Sequence, residues 1–386
     1  MLSYINWTAS PEIFSIGPLT IRWYGLLFAS GFLVGQYVIA RIFKIEDKPE
    51  GDLEKLLIYM VVSTVLGARL GHAIFYDPST YFSAKDPFAI LRIWEGGLAS
   101  HGAAIAILIG LYLYSRKRPG QSFLWVVDRI VIVVALGGAF IRTGNMINSE
   151  IIGKPTTASY AVVFSGTYKN SIKDKDYYKR EISNIKAELT GKDTLVTVNE
   201  QSAKDPTKSV KRENVPHTAV KLTISFKRKS LDTVSARNYA KKTLSALRLY
   251  SSTYAHYSKE ANTNPKIKIL RKNNRTIAEI TGLYVIPRHA AQFYEAISSF
   301  LLFWLLLFVY SLRKGRTPEG LLFGLFMVIL FSLRIVYEFF KPVQSELVGF
   351  GDFFNMGQWL SVPGVLAGFV LLYIAARNAK KMKAQE

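Results

Sequence analysis

The run FLWVVDRIVIVVALGGAFI at 123–141 passes without a break into RTGNMINSEIIG at 142–153. The first part has the length and apolarity of a membrane-spanning helix, interrupted early by Asp128 and Arg129. Such a helix needs roughly 20 apolar residues. The second part sets a guanidinium (Arg142), two carboxamides (Asn145 and Asn148) and a carboxylate (Glu150) at the end of that helix. Polar groups at membrane depth are expensive and point to function. Asn145 and Asn148, three residues apart, fall on one helical face. Arg142 is a fork-shaped donor suited to phosphate. A purely structural reading also stands: a helix end that caps itself and pairs Arg142 with Glu150.

Outward from this stretch, apolar runs recur at about 23–40, 56–76, 98–114, 290–310, 321–340 and 356–376, making seven candidate spans with 123–141. Arg41, Lys44 and Lys48 follow the first span. Arg116, Lys117 and Arg118 follow the third, Arg313, Lys314 and Arg316 the fifth, and Arg377, Lys380, Lys381 and Lys383 the seventh. Every odd-numbered span therefore ends in a basic loop or tail, which the positive-inside rule assigns to the cytoplasm. The N-terminus is then outside and the C-terminus inside.

The segment after the fourth span is polar. Residues 161–280 hold 25 Lys/Arg against 11 Asp/Glu, an excess of 14 out of the chain's net +21. On this topology the segment lies outside, and its charge is no objection because long loops cross regardless of charge. Beside membrane spans its natural partner is an anionic lipid surface, and no nucleic-acid partner is expected. It reads as a small α+β domain. Residues 220–226 alternate as a strand, 235–249 read as a helix, and 266–270 and 276–280 flank a hairpin turn. Residues 168–189 are highly charged and read as helical or mobile. Tyr177, Tyr178 and Phe226 are expected in its core.

The expected fold is thus an all-α polytopic membrane protein of about seven transmembrane helices with an inserted extracytoplasmic α+β domain. Its expected divisions are 1–160, 161–286 and 287–386. With no cysteine in the chain, disulfides, thiolate metal sites and a cysteine nucleophile of its own are excluded. Five scattered histidines without HExxH spacing give no expected metal site, and no cofactor is expected. The first apolar run lacks the features of a removable signal peptide and is expected to be a permanent span.

On the derived topology, Arg22, Tyr24, Arg69, His101, Arg142, Glu150, His289, Glu295, Arg334 and Glu338 all fall in the outer half of the bilayer or at its rim. Taken pair by pair they read as ion pairs locking helices: Arg334 with Glu338 at i and i+4, Arg69 with Glu95. Taken together they read as a water-accessible cavity for an anion. His101 reads either as a satisfied helix-start histidine or as a base. Gly96, Gly97 and Gly102 around it suit a lipid head group or a tight helix contact.

The stretch 142–153 resembles the signature R-x-G-N-F-x-N-x-E-x-x-G of bacterial prolipoprotein diacylglyceryl transferases. Further matches follow in family order: Arg22-Trp23-Tyr24-Gly25-Leu26, Gly67 to His72, Gly96 to Gly102, Pro287-Arg288-His289 with Gln292 and Tyr294-Glu295, Arg334 with Glu338, and Met356-Gly357-Gln358. Ile141, Met146 and Ala290-Ala291 depart from the usual Gly, Phe and Pro-Ser, and residues 161–280 are longer than the family's usual head.

The resemblance implies a reaction at the outer face of the bacterial cytoplasmic (inner) membrane. The diacylglyceryl group of phosphatidylglycerol moves to the lipobox cysteine thiol of a lipoprotein precursor, forming a thioether and releasing glycerol phosphate. It implies His101 as base, Arg142 and Arg334 on the phosphate, and Tyr24, Asn145 and Asn148 orienting the head group. Glu150, Glu295 and Glu338 would hold the arginines, with Gly153 and Arg69 also in the substrate-binding set. The residues alone leave open a transporter or binding protein for an anionic solute or lipid, and a non-catalytic scaffold.

Overall fold

The computed structural model describes residues 4–16, 19–81, 89–92, 97, 99–167, 175–200, 211–254, 264–313, 316–342 and 355–383. Glu95 and Gly96, and residues 168–174 of the charged stretch, lie outside the described residues.

The chain is a polytopic membrane protein. Among the described residues, six helices are long and apolar enough to cross a bilayer: α1 Trp23–Ile45, α2 Glu50–Phe75, α5 Phe123–Asn148, α8 Ala291–Leu312, α9 Leu321–Glu338 and α10 Met356–Lys383. The 98–114 run, expected as a seventh span, forms α4 Ser100–Arg116, a helix of 17 residues. At 1.5 Å per residue that is about 25 Å, short of the roughly 30 Å hydrocarbon core. Short α3 is Pro78–Tyr81, and α6 Asp176–Glu181 and α7 Thr233–Tyr254 complete the helices used below. The strands are β1 Ile5–Asn6, β2 Glu12–Ile16, β3 Leu19–Arg22, β4 Val162–Val163, β5 Ile182–Glu200, β6 Lys211–Phe226, β7 Lys266–Lys272 and β8 Arg275–Val285.

The chain divides into two compact units. The first comprises Met1–Leu26, Arg142–Glu295 and Phe339–Gln344. Its centre is an antiparallel sheet in the order β5-β6-β8-β7, with α7 packed on one face. Ala236, Ala240 and Leu244 of α7 meet Leu222, Ile224, Ile280 and Leu283 of the sheet, all buried. Tyr178 and Phe226 join this core and Tyr177 packs against it, as expected. The β7–β8 turn is Asn273-Asn274, with φ of 49° and 59°. Two left-handed residues give the twist a two-residue hairpin needs, and Asn tolerates it. The charged stretch expected as helical or mobile is a short helix and then a strand. Ile185 and Ala187 of β5 point into the core between exposed Asn184 and Lys186.

The second unit comprises Leu27–Ile141, Ala296–Glu338 and Ser345–Glu386. The part of α5 within it is buried over most of its length, with Val126, Ile132 and Leu136 in the largest apolar cluster. Two charges that interrupt the α5 pattern are both buried there. Asp128 accepts the backbone N–H groups of Gly320 and Phe323, 2.8 Å each, and so caps the start of α9 from another helix. Arg129 forks onto Glu46 at 3.0 Å through two nitrogens and lies over the Trp125 ring. Charges at this depth persist because each is fully partnered.

Helices α2 and α4 meet along bare backbone. A Cβ on Gly67 would lie 2.6 Å from the Gly102 carbonyl, one on Gly71 2.7 Å from Gly102 Cα, and one on Gly110 2.1 Å from Ser63 Oγ. Gly67 and Gly71 on α2 face Gly102, Ala106 and Gly110 on α4, so small residues recur every four positions on both helices. This is the small-xxx-small arrangement that lets membrane helices pack closely.

Candidate active site

In the first unit, the site begins where α5 stops. Ser149 takes φ 57°, its N–H bonds to the Met146 carbonyl, and the Glu150 N–H bonds to that of Asn145, 3.0 Å each. This is a Schellman ending with serine in the left-handed place usually held by glycine. The Trp7 indole N–H takes the Met146 carbonyl as well, at 3.0 Å. The reversal returns the Glu150 side chain over the last helical turn. There it accepts both carboxamides, Asn145 Nδ2 at 3.2 Å and Asn148 Nδ2 at 3.3 Å. The Oδ1 atoms of the two asparagines are buried with no hydrogen-bond partner among the described residues. Ile151 is also left-handed, at φ 55°, which is unusual for a β-branched residue.

The pairing of Arg142 differs from the Arg142–Glu150 bridge read as one alternative. Arg142 Nε lies 2.6 Å from Glu295 Oε2, and Lys341 Nζ pairs with the other oxygen of the same carboxylate. Glu295 and Lys341 are buried, whereas Arg142 is about a third exposed. One carboxylate thus holds two cations and leaves the Arg142 side chain accessible. Tyr24 lies in the electrostatic reach of both Glu150 and Arg142, and its ring packs 2.8 Å from where a Gly144 Cβ would stand. Lys341 went unnoticed in sequence because it stands beyond the last turn of α9, outside both the apolar runs and the basic loops.

The loop after Glu150 is fixed by the segment before α8. Gly153 N–H bonds to His289 O at 2.9 Å, Arg288 Nη1 bonds to Gly153 O at 3.0 Å, and Gln292 Nε2 bonds to Glu150 O at 2.6 Å. A Cβ on Gly153 would lie 2.5 Å from His289 O and 2.9 Å from Phe340 O, so no other residue fits. Burial pulls the Arg288 guanidinium down to about 10, still fully charged at neutral pH. His289 sits among Tyr160, Tyr294 and Phe340, with its Nδ1 3.2 Å from the Tyr294 hydroxyl. Burial lowers its pKa from the ordinary histidine value.

In the second unit, Arg69 is buried and its guanidinium donates to three backbone carbonyls: Ile90 and Arg92 at 2.9 Å and Gly97 at 3.3 Å. It also lies over the Tyr81 ring. Arg69 thereby ties Ile90, Arg92 and Gly97 to α2. His101, in the first turn of α4, is exposed and stacks on Tyr76, which in turn stacks on His72. Arg334 is exposed and has no ion pair among the described residues. Glu338 accepts Asn355 Nδ2 at 3.1 Å, and its carboxylate lies where a Gly357 Cβ would be. Asn355 and Gln358 cap α10 reciprocally, each backbone N–H bonding to the other's side-chain oxygen. Asn355 is a partner of Glu338 that sequence reading missed. Its signal was the Asn-x-x-Gln spacing ahead of an apolar run.

Comparison with known proteins agrees over the whole chain. Residues 11–374 match the family model described as prolipoprotein diacylglyceryl transferase. A phosphatidylglycerol–prolipoprotein diacylglyceryl transferase of Chloroherpeton thalassium is 32% identical over 99% of this chain and 98% of its own length. One of Tolumonas auensis is 32% identical over 96% and 98%, and one of Porphyromonas gingivalis 29% over 97% and 96%. Coverage this complete on both sides leaves little room for a segment the size of 161–280 to be absent from these relatives.

Proposed function

The chain belongs to the prolipoprotein diacylglyceryl transferase family, and from that premise we propose that it moves the diacylglyceryl group of phosphatidylglycerol to the lipobox cysteine of a lipoprotein precursor. The precursor thiolate forms the new C–S bond. The glycerol carbon's C–O bond to phosphate breaks, and glycerol phosphate leaves with the bonding electrons. The chain has no cysteine, so the nucleophile comes with the substrate.

A free thiol has pKa about 8.5 and attacks as the thiolate. We assign its proton to His101, whose imidazole is exposed at the start of α4. Arg142 and Arg334 are assigned to the phosphate, where they stabilise the charge that develops on the leaving group. The observation that carries this reading is the Arg142–Glu295–Lys341 cluster: a buried carboxylate fixes a guanidinium that still reaches solvent, beside two asparagines with unused buried oxygens. Those oxygens and Tyr24 are assigned to the glycerol hydroxyls. Glu150 orients the asparagines, Glu295 orients Arg142, Gly153 admits the backbone crossing, and Arg69 and Glu338 position loops around the site.

For topology we propose seven crossings. Packing of α4 against α2 through glycine allows the short helix to serve as the third. The N-terminus and the 161–286 domain are then outside, and the C-terminus is cytoplasmic, in the inner membrane. The basic insert faces anionic head groups or precursor.

The test is mass spectrometry of a lipobox peptide incubated with pure protein and phosphatidylglycerol. The parent chain should add one diacylglyceryl group. Arg142→Ala and His101→Gln should each lower the rate by at least about 10², and full turnover by either variant would remove the role given to that residue.

A further inference from the structure

Within the second unit, α1, α2, α4 and α5 line a half-open apolar cavity of about 270 Å³. No ionisable residue lines it, and its two polar side chains are Gln36 and Thr64. Thr64 is already satisfied, donating its hydroxyl to the Met60 carbonyl at 2.6 Å. The wall on α5 runs from Ile130 to Ile141, about 16 Å of helix at 1.5 Å per residue. That is close to half of a roughly 30 Å hydrocarbon core, the depth of a single leaflet. Ile141 is followed in the chain by Arg142.

Glycines stand on two of its walls. Gly137 and Gly138 on α5, and Gly31 and Gly35 on α1, all line it. A Cβ on Gly137 would meet nothing within 4 Å. Helix interiors disfavour glycine by about 1 kcal/mol relative to alanine. Gly137 Cα lies against Gly31 on α1, and the direction its own side chain would take is open. An apolar hollow with so few polar partners does not hold water well.

We propose that this cavity receives one acyl chain of the phospholipid donor and sets the chain length that is accepted. The inference rests on the transferase reading above and deepens it. The occupant must be apolar, slender and available within the bilayer, and an acyl chain meets all three conditions.

The test uses the full-length protein in detergent, a lipobox peptide, and phosphatidylglycerol with either dilauroyl or dipalmitoyl chains. Gly137→Leu places its Cβ in open space and adds apolar bulk to the cavity wall. It should raise KM for the dipalmitoyl lipid by about tenfold, the equivalent of displacing two buried methylenes, and leave KM for the dilauroyl lipid within twofold. Gly137→Ala should give a smaller shift in the same direction, and it carries the test if the leucine variant does not fold. Equal KM changes for the two lipids, or none for either with a raised melting temperature, would overturn the proposal and mark the cavity as a packing void. Turnover of dilauroyl lipid by the parent chain separates this outcome from failure of the transferase reading, in which neither lipid reacts.

Discussion

Gly153 is the residue whose substitution the structure constrains most directly. Its missing side chain lets two carbonyls, of His289 and Phe340, approach the turn that carries Glu150. Gly153→Ala should therefore destabilise the protein by about 1–3 kcal/mol, as overpacking does. It should also lower lipidation of the peptide, and thermal unfolding in detergent beside the lipidation assay checks both. His289, in the same loop, predicts a pH effect. Its folded pKa lies below the ordinary value because burial disfavours the imidazolium. The unfolded chain then binds the proton more readily. Stability is full above the unfolded value of about 6.5 and falls as pH drops through it toward the folded value. The fall in melting temperature between pH 7.5 and 5.5 should be smaller in His289→Phe, which keeps the aromatic packing. At this scale the sequence was half legible. The polar cluster at 142–153 stood out because polar groups ended an apolar run. Glu295 was named among the carboxylates holding the arginines, and it is the one that pairs with Arg142; the share Lys341 takes in that pair was not legible, since it lies far along the chain. Nor was the left-handed Ser149, since no glycine marked the turn.

Among the elements, period carried most of the information. Alternation at 220–226 and the Asn-Asn turn announced β6 and the β7–β8 hairpin, and both are present. Strand β5 was missed because charge obscured the alternation of Ile185 and Ala187. Helix α4 has the 17-residue length of the apolar run at 98–114, displaced by two residues, and composition did not reveal how closely it packs on α2. Its pairing with α2 gives a prediction for helix packing. A Cβ on Gly102 would come within 2.2 Å of the Gly67 carbonyl and 2.6 Å of Gly71 Cα. Gly102→Ala must therefore push two backbones apart, where the atoms in the way belong to no flexible side chain. It should lower the melting temperature, with a loss of about 1–3 kcal/mol. Gly25→Ala, which meets nothing within 4 Å, serves as the control in the same unfolding experiment.

For the molecule as a whole, the basic loops after alternate spans predict its orientation, and a chain without cysteine makes that easy to check. Ser245 is exposed on α7 and Lys380 on the last turns of α10. In intact spheroplasts a membrane-impermeant maleimide should label Ser245→Cys, and should reach Lys380→Cys only after lysis. The reverse pattern would invert the topology. Hydropathy made the division into apolar and polar stretches plain, because membrane and water demand different residues over long runs. It could not reveal the cavity beside Gly137, since an absent side chain leaves no hydrophobic signal. The glycine contact between α2 and α4 has a last consequence, for traffic. A doorway in a helical wall opens when side chains swing aside, and along this line the contact is chiefly backbone, with only the short side chains of Ser63 and Ala106. Parting these two would forfeit every contact along the line at once. A line of contact built this way stays closed.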